Sequence, residues 1–230
     1  MSVLIDEEFG EIVLRRSAKA SAVRIRIAPD GRLRASLPLY APIFLVKRLI
    51  KSSRNELRAI LLEHQSQAQY EDGMQIGKSH TLSVRPHTSA LSVTKHGQQI
   101  IVTLPKDRSL SDSDVSTKIR EKVGEALRSE AKSYLPRRLR FLADQFGFNY
   151  TKVRFSHASG RWGSCSSNGT ISLNIALMKL PFELIDYVLI HELCHTVQMN
   201  HSEAFWSLVG AADRHYKTHR RLLKSETPAI

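Results

Sequence analysis

Only two cysteines occur in 230 residues, Cys165 and Cys194, too few for a disulfide framework. They are expected to be reduced, with Cys194 a small packed residue rather than a ligand. No run approaches the roughly 18 consecutive apolar residues of a membrane helix. The opening Met1-Ser2-Val3-Leu4-Ile5-Asp6 has no basic segment ahead of an apolar core, which argues against a secretory leader. Repeats, low-complexity tracts, a basic tail and zinc-finger cysteine spacing are lacking too. These absences exclude secreted disulfide scaffolds, membrane spans and repeat arrays, and they leave a cytoplasmic globular protein as the expectation. Hydrophobic residues at 42% and charged residues at 24% agree with that class.

Acidic residues are the scarcer charge, 22 against 34 Lys and Arg, for a net charge of +12. The excess is spread along the chain: +6 over residues 1–105, +3 over 106–150 and +3 over 151–230. Such a surface permits nucleic-acid, nucleotide or other anionic contacts without establishing them.

Against this background one stretch stands out: His191-Glu192-Leu193-Cys194-His195, with His201 ten residues after His191. Random placement of 10 His and 13 Glu would give about 0.02 H-E-x-x-H matches. On a helix, positions i and i+4 share a face, so His191 and His195 can hold one metal ion. His201 completes a three-nitrogen site if the helix ends before it, with Glu203 as the alternative third ligand. Catalytic zinc takes three protein ligands and leaves a fourth position for water. Glu192 lies beside that position as general base. Pro181 suits a helix start, and Phe182, Ile185, Val188 and Leu189 recur at helical spacing. Burying two histidines and a glutamate in such a helix is unfavourable unless they bind something. After Met199, Asn200 is expected to turn or cap the chain, with Glu203 completing a capping box. A further helix then runs from Ser202 to about Tyr216.

Arg161-Trp162-Gly163-Ser164-Cys165, Gly169 to Asn174, Asp186-Tyr187-Val188, the H-E-x-x-H segment, Asn200-His201-Ser202 and Phe205-Trp206 together resemble the YgjP-like zinc metallopeptidase family. That family is similar to SprT-like and other zincin peptidases. The resemblance is strongest over 151–225 and looser upstream at Asp72-Gly73, Gly77 and Leu82 to Val84. It implies one zinc ion per chain on His191, His195 and His201, Glu192 as catalytic acid/base, and a peptide or protein substrate. Metzincin peptidases share the third-histidine spacing but carry glycine where this chain has Gln198, and no metzincin Met-turn is apparent. The resemblance also places Thr170–Asn174 near a sheet edge that receives the peptide as an added strand. Trp162, Asn174 and Tyr216 are candidate substrate contacts, and Tyr216 or His215 a candidate oxyanion donor.

The fold expected is α+β: a strand-rich N-terminal region with one helical segment over 1–106, and a zincin-like catalytic region over 107–230. Val23 to Leu37 reads as a hairpin turning at Pro29-Asp30-Gly31. Val23, Ile25, Ile27, Leu33, Ala35 and Leu37 take one face, and Arg24, Arg26, Arg32 and Arg34 the other. Pro42 to Gln69 reads as helix in two pieces meeting at Ser52-Ser53. Gln75 to Leu104 is strand-rich, with a turn at His96-Gly97. His64, His80, His87 and His96 lack ligand spacing and are expected at the surface. The polar stretch Asp107–Asp114 is the candidate linker. A helix from Asp114 to Tyr134 follows, kinked or restarted at Pro136 and stopped at Gly147.

Two other functions fit the same residues. The metal with the arginines at 24, 26, 32, 34 and 137–140 would suit a nucleotide phosphohydrolase or pyrophosphatase, although such chemistry more often uses Mg²⁺ on oxygen ligands. A nucleic-acid-associated protease or binding module of SprT-like character is the other reading. Its mark would be affinity that falls steeply with salt.

Overall fold

The computed structural model describes all residues except 1, 19, 29–31, 67–69, 87–88, 159 and 229, and the side chains of 62–66 also lie outside it. Contacts divide the chain into two compact units, Met1–Gln69 and Tyr70–Ile230. The architecture is mixed α+β, with strand-rich sheets first and helices gathered toward the C-terminus.

In the first unit, β1 (Ser2–Asp6), β2 (Gly10–Arg16), β3 (Arg24–Ile27) and β4 (Leu33–Leu37) form a sheet in the order β1-β2-β4-β3. The expected hairpin exists, with Ile25 opposite Ala35 and Ile27 opposite Leu33. Its turn, Pro29-Asp30-Gly31, lies outside the described residues. Period-two alternation puts Leu33, Ala35 and Leu37 in the core and leaves Arg24, Arg26 and Arg34 exposed. Helices α1 (Ile43–Ser52) and α2 (Arg54–Ser66) break at Ser53. Val46, Ile50 and Leu57 pack on Ile12 and Leu14 of the sheet.

The second unit carries two sheets. Strands β5 (Gln75–Ile76), β6 (His80–Pro86), β7 (Ser92–His96) and β8 (Gln99–Leu104) run in the order β5-β6-β8-β7, with β6 and β8 parallel. Helix α3 (Ser113–Phe146) is continuous through Pro136 and ends at Gly147, whose N–H donates to Ala143 O. Leu82, Ile100 and Val102 of this sheet share one core with Ile119, Leu127 and Leu135 of α3. The division at 69/70 therefore differs from the 106/107 boundary expected from polarity. The segment 107–114 is a short ordered connection in which Arg108 donates to Asp112 (2.6 Å) and to Asp114.

His80 corrects an expectation. It is 4% exposed, and its Nδ1 lies 2.6 Å from Glu130 Oε1. Glu130, buried on α3, also accepts from the Lys78 and Ser79 backbone N–H groups (2.7 and 2.9 Å) and from Ser79 Oγ (2.8 Å). A buried carboxylate needs such donors, and nothing in the local sequence announces that His80 supplies one. His96 is exposed as expected, while His87 and the His64 side chain lie outside the described residues.

The remaining elements hold the metal motif. Strands β9 (Lys152–Ser156), β10 (Gly163–Cys165) and β11 (Thr170–Asn174) form a sheet in the order β10-β11-β9. β11 is therefore central, parallel to β9 and antiparallel to β10. β10 and β9 are the two edge strands, and Thr170–Asn174 lies next to both, near the edge as expected. A 3-10 turn (Ile175–Lys179) leads to α4 (Phe182–Cys194), α5 (Glu203–Ala212) and α6 (Tyr216–Lys224). The helix expected from Ser202 to about Tyr216 ends earlier, at Ala212, and α6 starts after a break at Asp213, whose side chain accepts from the His215 N–H (2.9 Å).

Candidate metal centre

Pro181 caps α4 from outside: its carbonyl accepts from the Leu184 and Ile185 N–H groups, both at 3.1 Å. Leu184, Ile185, Val188, Leu189 and Leu193 are all buried, so α4 is apolar nearly all round and runs through the core. A lateral ion pair on α4 is bidentate, from Arg138 Nε and Nη2 of α3 to Asp186 (2.8 and 2.6 Å).

The helix carries His191 and Glu192 in its last turn and ends at His195. Thr196, Val197 and Gln198 fold back onto the Leu193 and Cys194 carbonyls. This turn brings His201 round to face His191. Ser202, not Asn200, caps α5, with its Oγ accepting from Phe205 N–H.

The three histidines converge. Their ligand nitrogens all lie within 4.8 Å of one another, and His191 Nε2 faces His201 Nε2 at 3.1 Å. Two nitrogens each about 2.0–2.1 Å from one zinc ion stand roughly 3.3 Å apart at the tetrahedral angle, so the observed approach fits a shared cation. His195 Nδ1 lies 3.0 Å from Gln198 O. A proton on that nitrogen leaves Nε2 with its lone pair toward the ion. Burial and the charges of His195, His201 and Arg220 push His191 down to about 3. Burial and the charges of His195 and Arg220 also lower His201. Both rings are therefore neutral donors at neutral pH. Phe205, fully buried, lies under all three, stacked on His195 at 4.4 Å and edge-on to His191 and His201 at 4.9 Å each.

Glu192 projects from the same turn and is 5% exposed. Its Oε2 is buried and has no partner among the described residues. Burial pushes the carboxyl up to about 8, and the charge of Arg161 opposes that shift. β10 presses against it: a β-carbon at Gly163 would stand 2.6 Å from Glu192 Oε1. Here lies the physical reason for glycine after Trp162.

The other expected site residues separate. Asn174 is wholly buried, and its amide is occupied within the protein. Nδ2 donates to Ala158 O (2.7 Å) and Arg161 O (2.9 Å), and Oδ1 accepts from Ala176 N–H (3.0 Å). It fixes the loop that presents Arg161 and Trp162. Trp162 is half-buried against the core. Tyr216 stacks on Trp206 at 5.7 Å, and Trp206 stacks on His201 at 5.6 Å. His215 is exposed, with Nε2 accepting from Arg214 Nε (3.2 Å). Glu203 sits exposed in the first turn of α5 and is absent from the converging ligand group. Sequence reasoning missed Phe205 as the floor of the site, the Asp213–His219 pair at 2.7 Å and Arg220 over Trp206. Helical spacing from Tyr216 was the available signal for the last two. A 340 Å³ pocket lined by Lys78, His80, Lys95, Glu130, Tyr134 and Phe182 contains none of the three histidines.

Three converging imidazoles, with the buried Glu192 carboxyl next to them in the chain, define a candidate metal-dependent hydrolase. A model of the YgjP-like family, described as YgjP-like, metallopeptidase domain, matches residues 21–226, and the chain belongs to that family. Similar solved structures include the metallopeptidase zymogen of Pyrococcus abyssi abylysin. It is 28% identical, over 39% of this chain and 92% of that one, with a TM-score of 0.36. The metallopeptidase zymogen of Methanocaldococcus jannaschii jannalysin is 16% identical, over 39% and 93%, with a TM-score of 0.35. A search of curated proteins finds no match.

Proposed function

We propose that the protein is a zinc-dependent peptidase of zincin type, with one zinc ion per chain on His191, His195 and His201 and Glu192 as general base. The observation that carries this reading is the convergence of the three imidazoles, two of them 3.1 Å apart, next in the chain to a buried carboxyl oxygen without a partner among the described residues. A bound zinc ion supplies Lewis acidity, which eases deprotonation of water and polarises a carbonyl.

The chain's own residues do the rest. Glu192 takes the proton from the attacking water and hands it to the leaving amine. Gly163 lets β10 approach Glu192 closely enough to hold its carboxylate in one rotamer. Phe205, Leu193 and Cys194 keep water from the underside of the ligands. The β10 edge offers backbone groups to an extended peptide, which would add as a strand, with Trp162 and Tyr216 as flanking substrate contacts. We place the catalytic unit at Tyr70–Ile230, because β5–β8 share its core. Two free cysteines suit a reducing, cytoplasmic setting.

The test is metal content beside hydrolysis. Purified wild type should hold about one zinc per chain, largely lost in His201→Ala. Glu192→Gln should keep the metal and lose turnover. Full activity in Glu192→Gln would sink the mechanism.

A further inference from the structure

Helix α6 brings Tyr216, His219 and Arg220 to one side at spacings of three and four. Each reaches the surroundings of the metal centre. Tyr216 stacks on Trp206. His219 is held by Asp213 at 2.7 Å and faces Tyr187 at 6.2 Å, and Tyr187 in turn lies 6.0 Å from His191. Arg220 lies over the Trp206 ring, with Cζ 4.4 Å from its centroid. Trp206 is itself stacked on His201, so a single indole separates the guanidinium from a metal ligand.

The charge of Arg220 is not neutralised internally. Among the described residues it has no carboxylate within ion-pair distance, whereas the nearby Asp213 is taken by His219. It is exposed at its outer edge. Its positive charge acts on His191, His201 and Tyr187. Across the centre, Arg161 is exposed and likewise has no carboxylate partner among the described residues, and its charge acts on Glu192. A divalent ion on the three converging histidines adds further positive charge. Glu192, the acidic side chain next to the histidines, is buried and committed to the reaction.

Resting on the peptidase reading above, we propose that Arg220 is a specificity-determining residue that selects peptides carrying a carboxylate next to the scissile bond. A guanidinium lying over an indole has its plane fixed and its N–H edge free. That edge matches a carboxylate in a two-bond fork, which a lysine at the same place would not do. An acidic group supplies the missing counter-charge, and a basic one is repelled by ion and arginine together. The carboxylate can be an Asp or Glu side chain or the free end of a short peptide, and the chemistry of recognition is shared.

The experiment uses the zinc-loaded full chain and quenched fluorescent peptides amidated at the C-terminus. They are identical except for Asp, Ala or Lys on either side of one bond, with a free-acid alanine peptide as the fourth arm. The aspartate peptide should show kcat/KM at least about fivefold above alanine, mainly through KM, with lysine lowest. Arg220→Met keeps the apolar contact with Trp206 and should shrink that advantage. Arg221→Met, on an exposed neighbouring position, should leave it unchanged. A gain confined to the free-acid peptide assigns the carboxylate to the chain end. Equal kcat/KM for aspartate, alanine and lysine peptides overturns the proposal while leaving the peptidase reading intact. If no peptide is cut, the peptidase reading fails, and Glu192→Gln then decides the specificity by fluorescence anisotropy. Tighter binding of the aspartate peptide, weakened by adding Arg220→Met, sustains the proposal, and equal binding overturns it. Arg220-dependent binding of a single-stranded oligonucleotide in preference to the aspartate peptide would also overturn it.

Discussion

A β-carbon at position 163 would meet three atoms of the Glu192 side chain between 2.6 and 2.9 Å. Contacts that short force the carboxylate to move, and misplacing a general base by about 1 Å can lower the rate on the order of 10²-fold. Gly163→Ala should therefore reduce kcat by ~10²-fold and keep the zinc content, which metal analysis beside steady-state kinetics would check. Unchanged kcat would show that Glu192 does not need its present position. Phe205 works from the opposite direction. It contributes no ligand, yet its ring touches all three histidines. Phe205→Ala should lower stability by about 3–5 kcal/mol through loss of a fully buried ring, and should weaken zinc retention as the imidazoles lose their common support. Thermal melts with and without zinc separate those two effects. His191, Glu192 and His195 were readable as a set because one helical turn relates them. Gly163 was visible only as part of a motif, because its reason is an atom 29 positions along the chain.

At the scale of elements, the turn from β5 to β6 is clasped to α3 by Glu130. Its carboxylate accepts from two backbone N–H groups and Ser79 Oγ and pairs with His80. Gly77 makes the approach possible: a β-carbon there would stand 2.3 Å from Glu130 Oε2, and its φ of +61° suits glycine. Glu130→Ala leaves several buried donors unpaired and should destabilise the protein by roughly 3 kcal/mol or more, as measured by denaturant unfolding. The clasp also predicts a pH response. Burial pushes the Glu130 carboxyl up, and the hydrogen bonds from His80, Lys78 and Ser79 outweigh that and hold it below the ordinary carboxylate value. A carboxyl depressed in the folded state contributes stability that is present above its unfolded pKa and lost as pH falls through the folded one. Wild type should therefore lose more stability than Glu130→Gln between about pH 5 and pH 3. Parallel acid-unfolding curves would contradict this. Helix α4 and strands β3, β4 and β8 were legible as elements because their apolar periods are regular, whereas β10 falls in a stretch, Gly163–Cys165, with no apolar alternation. The break at Asp213 was not, because it arises where Asp213 turns to bind His219 and the His215 N–H.

On the scale of the molecule, Tyr70–Ile230 has a single core that reaches from Ile76 and Leu82 through α3 to Leu193 and Phe205. The three converging histidines lie at its margin, on the last turn of α4 and the segment before α5. A ligand that binds only the folded state stabilises it by RT ln(1 + [L]/Kd), about 4 kcal/mol at a thousandfold excess over Kd. Zinc removal by a chelator should thus lower the melting temperature reversibly, and His201→Ala should abolish most of that difference. An identical melt with and without chelator, at full zinc occupancy in the untreated sample, would speak against a folded-state metal site. Met1–Gln69 has its own core around Ile12, Leu33, Leu37 and Ile50. Its exposed arginines at 24, 26 and 34 form one sheet face, as the alternation of the sequence required.

The sequence by itself determined helix α4, the alternation of β3 and β4 and the spacing that lets His191 and His195 share a helix face, because each depends on residues close together in the chain. Tertiary structure alone decided that β11 is central between β10 and β9 and that Asn174 serves its own loop. It likewise decided that His80 is buried against Glu130 and that Arg220 stands one ring away from His201. Those outcomes depend on contacts between residues far apart in the chain, where satisfying buried charge and filling volume select the partner and local periodicity carries no information about it.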